Sequence, residues 1–129
     1  MTVASDAILP LTDFDRPMAE PGDDLRAVAR HLLATGRGAV LVQRRTGEVA
    51  VLTEHDIVRG VAEDGIEVWA TDVMSREVVV VDATTSVTEA AQAMLDHGIR
   101  HLVVQDGDRL GILSLRDCVG PLVATADAT

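Results

Sequence analysis

The sequence predicts a mixed α/β (α+β) fold built from two β-α-β-β-α repeats packed as a pseudo-two-fold pair, and three observations carry that prediction. Leu25, Val28, Ala29, Leu32, Leu33 and the following Gly36 align with Val87, Ala90, Ala91, Met94, Leu95 and Gly98, 62 positions later. Each set falls at i, i+3, i+4, i+7 and i+8, the stripe of an amphipathic helix, with a glycine where a left-handed C-terminal cap belongs. After each glycine, two short apolar runs flank a turn: Ala39–Val42 and Val49–Leu52 around Thr46-Gly47, then Leu102–Val104 and Leu110–Leu113 around Asp106-Gly107. Both read as hairpins. Each hairpin feeds a second helix, from Thr53 to about Glu63 and from Ser114 to about Val123, now 61 positions apart because the turns differ by one residue.

Taken in order, residues 1 to about 14 carry no periodic pattern and are expected to be loosely held. Arg16-Pro17-Met18-Ala19 stands where the first repeat needs its opening strand, and the proline confines it to an edge or a strand start. Asp23 or Asp24 caps the first helix; Ser86 with Glu89 forms a capping box for its counterpart. The β-branched run Val78–Val81 is a strand by propensity and length. Glu63-Asp64-Gly65-Ile66-Glu67 is polar and punctuated by glycine, a connection rather than a boundary between independent cores. The tail from Ala124 again lacks a pattern. A helix stripe needs a sheet face, so two small three-stranded sheets, each covered by helices on one side, are expected to meet across an approximate two-fold axis.

The chain has 129 residues, enough for one compact domain with a real core and too few for a separate catalytic domain. Eleven basic against 21 acidic residues leave a net charge of −10, which repels phosphodiester backbones and argues against nucleic acid as a partner. No apolar run approaches the roughly 18 residues of a membrane span. The first residues, Met1-Thr2-Val3-Ala4-Ser5-Asp6, show no basic region followed by an apolar stretch, so a cytoplasmic location is expected. The single cysteine, Cys118, cannot form an intrachain disulfide and reads as a small buried apolar residue.

The chemistry concentrates at the starts of the second helices. Thr53…Asp56 and Ser114…Asp117 each place a hydroxyl at a helix start, beside free N–H groups and the positive end of the dipole, with a carboxylate one turn on. A hydroxyl followed three residues later by an acid is also a capping box that needs no ligand. Its occurrence twice after a strand, with Asp in both copies where Glu reaches the N-cap amide better, favours a ligand. An ionised Asp accepts only, and so can hold a vicinal diol. Four histidines offer no ligand spacing: Gly98 separates His97 from His101, and His31 and His55 lack partner carboxylates or thiols, so no metal is expected. Gly36-Arg37-Gly38 alone is too short for a dinucleotide fingerprint, and no nucleophile elbow or Walker loop is present. Catalysis has no visible apparatus.

These residues resemble a known family. Gly98 through Asp117 looks like a CBS domain, named after cystathionine β-synthase, and Thr71-Asp72-Val73-Met74-Ser75 resembles the lead-in that many such domains carry. The first half resembles it through Gly36, Ala39–Val42 and Val49 to Asp56. It departs in having Ala50 where the second half has Gly111 and in lacking the Asp-Val-Met-Ser pattern; Val103 stands where the family often has proline. The resemblance divides the chain into an N-terminal segment (1–16), a first CBS repeat (17–65), a second (66–123) and a tail (124–129). It implies a stand-alone CBS pair that is a sensor rather than an enzyme, with no resident cofactor, binding AMP, ADP, ATP, S-adenosylmethionine or NAD in clefts between the halves. In the pattern Gly111-Ile112-Leu113-Ser114-Leu115-Arg116-Asp117 it implies Ser114 as phosphate contact and Asp117 as acceptor for both ribose hydroxyls, with Thr53 and Asp56 as weaker equivalents. Arg100 and His101 are the best candidates to neutralise phosphate from across the cleft, Arg116 adds a contact, and Arg37 with Gly38 marks the corresponding approach in the first half. The resemblance also implies a homodimer and an unidentified regulated protein. Ile57, Val58, Val61, Val119 and Leu122 either supply that dimer interface or belong to the core. The competing reading is a structural dimerisation or adaptor module with empty clefts.

Overall fold

The computed structural model describes residues 1–14, 19–20, 22–43, 47–65, 67–75 and 78–127, the side chains of 125–127 excepted. A short 3-10 helix, Leu9–Leu11, is followed by α1 (Leu25–Thr35), β1 (Ala39–Gln43), β2 (Val49–Thr53), α2 (Glu54–Asp64), α3 (Ala70–Val73), β3 (Val80–Asp82), α4 (Val87–His97), β4 (His101–Asp106), β5 (Arg109–Ser114) and α5 (Leu115–Asp127). The chain forms two compact units: the first is Arg16–Val78, the second Met1–Asp15 with Val79–Thr129. These units are a different division from the sequence repeats. Residues 66–78 group with the first repeat and the N-terminal segment with the second, because each lead-in finds its hydrogen-bond partners there.

In the first unit, Asp24 is the cap of α1, its carboxylate accepting from Ala27 N at 2.7 Å. Gly36 closes the helix at φ 69°, a conformation in which a side chain is strained. β1 and β2 pair antiparallel from Ala39↔Thr53 to Gln43↔Val49. Leu25, Val28 and Leu32 pack with Val40, Val42 and Leu52 into a core closed by Ala70, Val73 and Met74. α2 approaches α3 through Gly60, where an added Cβ would lie 2.5 Å from Val73 Cγ1.

In the second unit β3 pairs parallel with β4, which pairs antiparallel with β5. Gly98 ends α4 at φ 63°. Ser86 caps its start, the hydroxyl accepting from Glu89 N at 3.1 Å. Glu89 closes on that hydroxyl at 3.1 Å rather than on the cap's backbone N–H, so the expected box is half formed. The core gathers Val87, Ala90, Met94, Leu102, Val104 and Leu113, together with Ile8 and Cys118.

Several expectations are corrected. Residues 1–14 are held, not loose: Ile8 is fully buried, worth about 1.5–3 kcal/mol, and Leu11 and Phe14 pack on the same core. Asp13 bonds both ways with Ile112 (2.9 and 3.0 Å), and the Arg109 guanidinium lies 4.3 Å from the Phe14 ring centroid. α5 runs past Val123 to Asp127 through Pro121, as the alanine-rich sequence there favours helix. The helical stripes are narrower than their spacing suggests, for Leu33 and Leu95 are 84% and 65% exposed. The first unit shows a two-stranded sheet among the described residues. Of its expected opening strand, 16–18 lie outside them, but Ala19 bridges Val42 in parallel, matching the Val81↔Val104 pair of the other unit 62 positions on.

That correspondence extends to the lead-ins. Ile8 N donates to Thr85 O (2.8 Å) as Ala70 N donates to Asp23 O (2.7 Å), and Val87 N to Asp6 O as Leu25 N to Val68 O, both 2.9 Å. Asp13 pairs with Ile112 as Ser75 pairs with Val51. The first copy therefore has a lead-in, Leu9-Pro10-Leu11-Thr12-Asp13, equivalent in backbone though not in side chains to Thr71–Ser75.

Candidate functional site

Both helix starts are formed as capping boxes. In the first unit Thr53 N donates to Asp56 Oδ2 (2.9 Å) and Asp56 N to Thr53 Oγ1 (3.1 Å). In the second, Ser114 N donates to Asp117 Oδ2 (2.9 Å) and Asp117 N to Ser114 Oγ (3.1 Å). Each cap satisfies two amides that the first turn would otherwise leave open. The backbone just before each hairpin docks against the helix start: Glu54 N donates to Gly38 O (2.9 Å), and Leu115 N to Arg100 O (2.8 Å). His101 stands directly opposite Ser114 across the β4–β5 ladder. Arg100, His101, Ser114, Arg116 and Asp117 thus converge at one end of the second unit, and Arg37, Gly38, Thr53 and Asp56 at the corresponding end of the first.

The remaining oxygen of each carboxylate separates the two turns. Asp56 is buried, and its Oδ1 accepts from Arg59 Nη2 at 3.1 Å. Asp117 is exposed and its Oδ1 has no hydrogen-bond partner among the described residues. Gly120 occupies the position equivalent to Arg59. Exposed Arg100 and Arg116, without an ion pair among the described residues, replace Gly38 and His55, and Leu115 replaces the acidic Glu54. The second turn therefore has two exposed arginines next to a helix start in the backbone, and a carboxylate oxygen left to accept. That combination suits a phosphate ester of a diol-bearing sugar.

Gly111 has a structural task of its own. A Cβ there would lie 2.6 Å from Thr12 Cγ2, 2.8 Å from Phe14 Cδ1 and 2.9 Å from Asp13 O, so the glycine admits the N-terminal lead-in. Ala50, its counterpart, is buried in the first core. Cys118 follows Asp117 and is fully buried; burial, then the neighbouring Asp117 charge, push its thiol up to about 11. Sequence reasoning missed Arg59, although its i,i+3 spacing from Asp56 was available as a signal. No three His, Cys, Asp or Glu side chains gather to hold a metal among the described residues. A surface depression of about 380 Å³, lined by Asp24, Arg26, Glu67 and Trp69, contains none of the expected site residues.

An α/β repeat pair with a capped helix start in each unit is the class that this fold defines. The family model for the CBS domain matches residues 70–123. A CBS domain protein from Pyrobaculum aerophilum, solved in complex with AMP, is 30% identical at a TM-score of 0.76, over 94% of this chain and 98% of that one. A CBS-domain containing protein from Agrobacterium tumefaciens superposes at a TM-score of 0.81 with 25% identity, covering 92% and 94% of the two chains. The chain belongs to the CBS-domain family. An uncharacterized protein of Methanopyrus kandleri is 34% identical over 116 residues, 83% of this chain. The chain spans 59% of that relative's length and 66% of a second curated relative's.

Proposed function

We propose that this CBS pair is a non-catalytic regulatory module that binds an adenosyl ligand through the Ser114–Asp117 turn and reports it to a partner protein by a change in shape or association. The observation that carries the reading is the Asp117 carboxylate, exposed and with one oxygen unengaged, at a helix start flanked by Arg100 and Arg116. Asp117 accepts the ribose hydroxyls. Ser114, Arg100, His101 and Arg116 meet the phosphate of AMP, ADP, ATP or NAD, and S-adenosylmethionine presents the same ribose without it. The AMP complex of the Pyrobaculum aerophilum protein supports this class of ligand.

A ligand shifts such a module by no more than its differential affinity for the two states. The regulated partner is a separate protein, met in the cytoplasm; no described helix is long and apolar enough to cross a membrane. Homodimerisation uses Val58, Val61 and Val119, which are exposed, whereas Ile57 and Leu122 pack against the cores.

Thermal unfolding with AMP, ADP, ATP, NAD and S-adenosylmethionine tests the proposal. A hundredfold excess over Kd stabilises the native state by about 2.7 kcal/mol, so at least one ligand raises the midpoint, and Asp117→Ala loses the rise. No rise with any of them at millimolar concentration leaves an adaptor module as the better reading.

A further inference from the structure

We infer that each chain takes up one ligand, at the Ser114–Asp117 turn, and that Arg59 closes the equivalent turn of the first repeat by occupying its carboxylate. This rests on the adenosyl reading and adds the stoichiometry and the residue that sets it. A vicinal diol needs accessible acceptor oxygens. Both Asp56 oxygens are engaged and little of either is accessible: Oδ2 accepts from Thr53 N, Oδ1 from Arg59 Nη2, and the side chain is 9% exposed. The guanidinium sits one turn along the same helix, so its effective concentration at Oδ1 is far above that of a dissolved ligand. A charged donor is also a stronger partner for a carboxylate than a hydroxyl is. At Asp117 the equivalent position is Gly120, where the direction of an added Cβ is open, with no atom within 4 Å. The surrounding exchanges point the same way: Gly38 for Arg100, Glu54 for Leu115 and His55 for Arg116 leave the first turn poorer in positive charge.

Arg59 acts through Asp56, so the test reads ligand count and not stability alone. Isothermal titration with AMP is expected to show one site per chain, lost in Asp117→Ala and kept in Asp56→Ala. Arg59→Ala is expected to add a second, weaker site. Gly120→Arg, which transplants the lock into open space, is expected to weaken the first site at least tenfold without lowering the thermal midpoint. Two equal sites in the wild type, an unchanged count in Arg59→Ala, or wild-type affinity in Gly120→Arg would overturn the inference while leaving the sensor reading intact. Absence of binding in every variant by AMP and, in the same titration, by ADP, ATP, NAD and S-adenosylmethionine would overturn both.

Discussion

Thr53–Asp56 and Ser114–Asp117 make the same pair of backbone bonds within 0.1 Å of each other, yet one carboxylate is buried against an arginine and the other is left to solvent. The difference lies outside the motif. Capping fixes the hydroxyl and the carboxylate wherever the pattern occurs, and it does so without a ligand. What engages the other carboxylate oxygen differs one turn further on, where Arg59 stands in one unit and Gly120 in the other. A motif match reports backbone geometry, whereas binding capacity belongs to its neighbours.

The largest effect expected from probing this asymmetry is at the buried glycine. Gly111→Ala places a Cβ 2.9 Å from Asp13 O, which cannot retreat without breaking its 3.0 Å bond from Ile112 N. The substitution should destabilise by about 1–3 kcal/mol and loosen residues 1–14. Ala50→Gly, its mirror, should lose only about 0.5–1 kcal/mol. Denaturant unfolding and amide exchange of the N-terminal segment measure both, and equal losses would break the comparison.

A smaller difference is expected between the two acids. Removing either carboxylate forfeits its bond from the N-cap amide, about 1 kcal/mol, but Asp56→Ala also discards a bond from Arg59 and leaves a buried gap, so it should destabilise the fold more than Asp117→Ala. Ligand affinity should move the opposite way. Unfolding midpoints and AMP titrations of the same two variants sharpen the contrast, and a parallel ordering of the two effects would contradict it.

Cys118 gives the smallest effect at neutral pH. Its counterpart is Ile57, so only the second unit carries this titration. Because the folded thiol is raised from 9.0 to about 11, its neutral form contributes stability fully present below about pH 9 and lost as pH rises toward 11. Cys118→Ala should flatten stability between those values. Alkylation of the native thiol at pH 8 should be roughly a hundredfold slower than in the unfolded chain.

Much of the fold was legible. The helix stripes, the glycine caps at 36 and 98, the hairpins and the helix starts all depend on side-chain spacing and on glycine's access to positive φ. The first lead-in was not: Ile8 N to Thr85 O and the Asp13–Ile112 pair are backbone contacts, which no side-chain pattern announces, and Leu9–Asp13 shares little with Thr71–Ser75. Leu33 and Leu95 sit at stripe spacing but at its margin, where the helix has turned away from the sheet. At the candidate site, Ser114, Asp117 and Arg100 could be picked out by pattern and resemblance. The Arg59–Asp56 pair was signalled only by its i,i+3 spacing, and the burial of the Asp56 carboxylate by nothing in the pattern.

The most direct test of the central claim is a crystal structure of the protein grown with AMP. The account predicts ribose hydroxyls on the Asp117 carboxylate, phosphate beside Ser114 and Arg100, and Arg59 still paired with Asp56. Ribose seated on Asp56 with Arg59 swung away, at full occupancy, would contradict it.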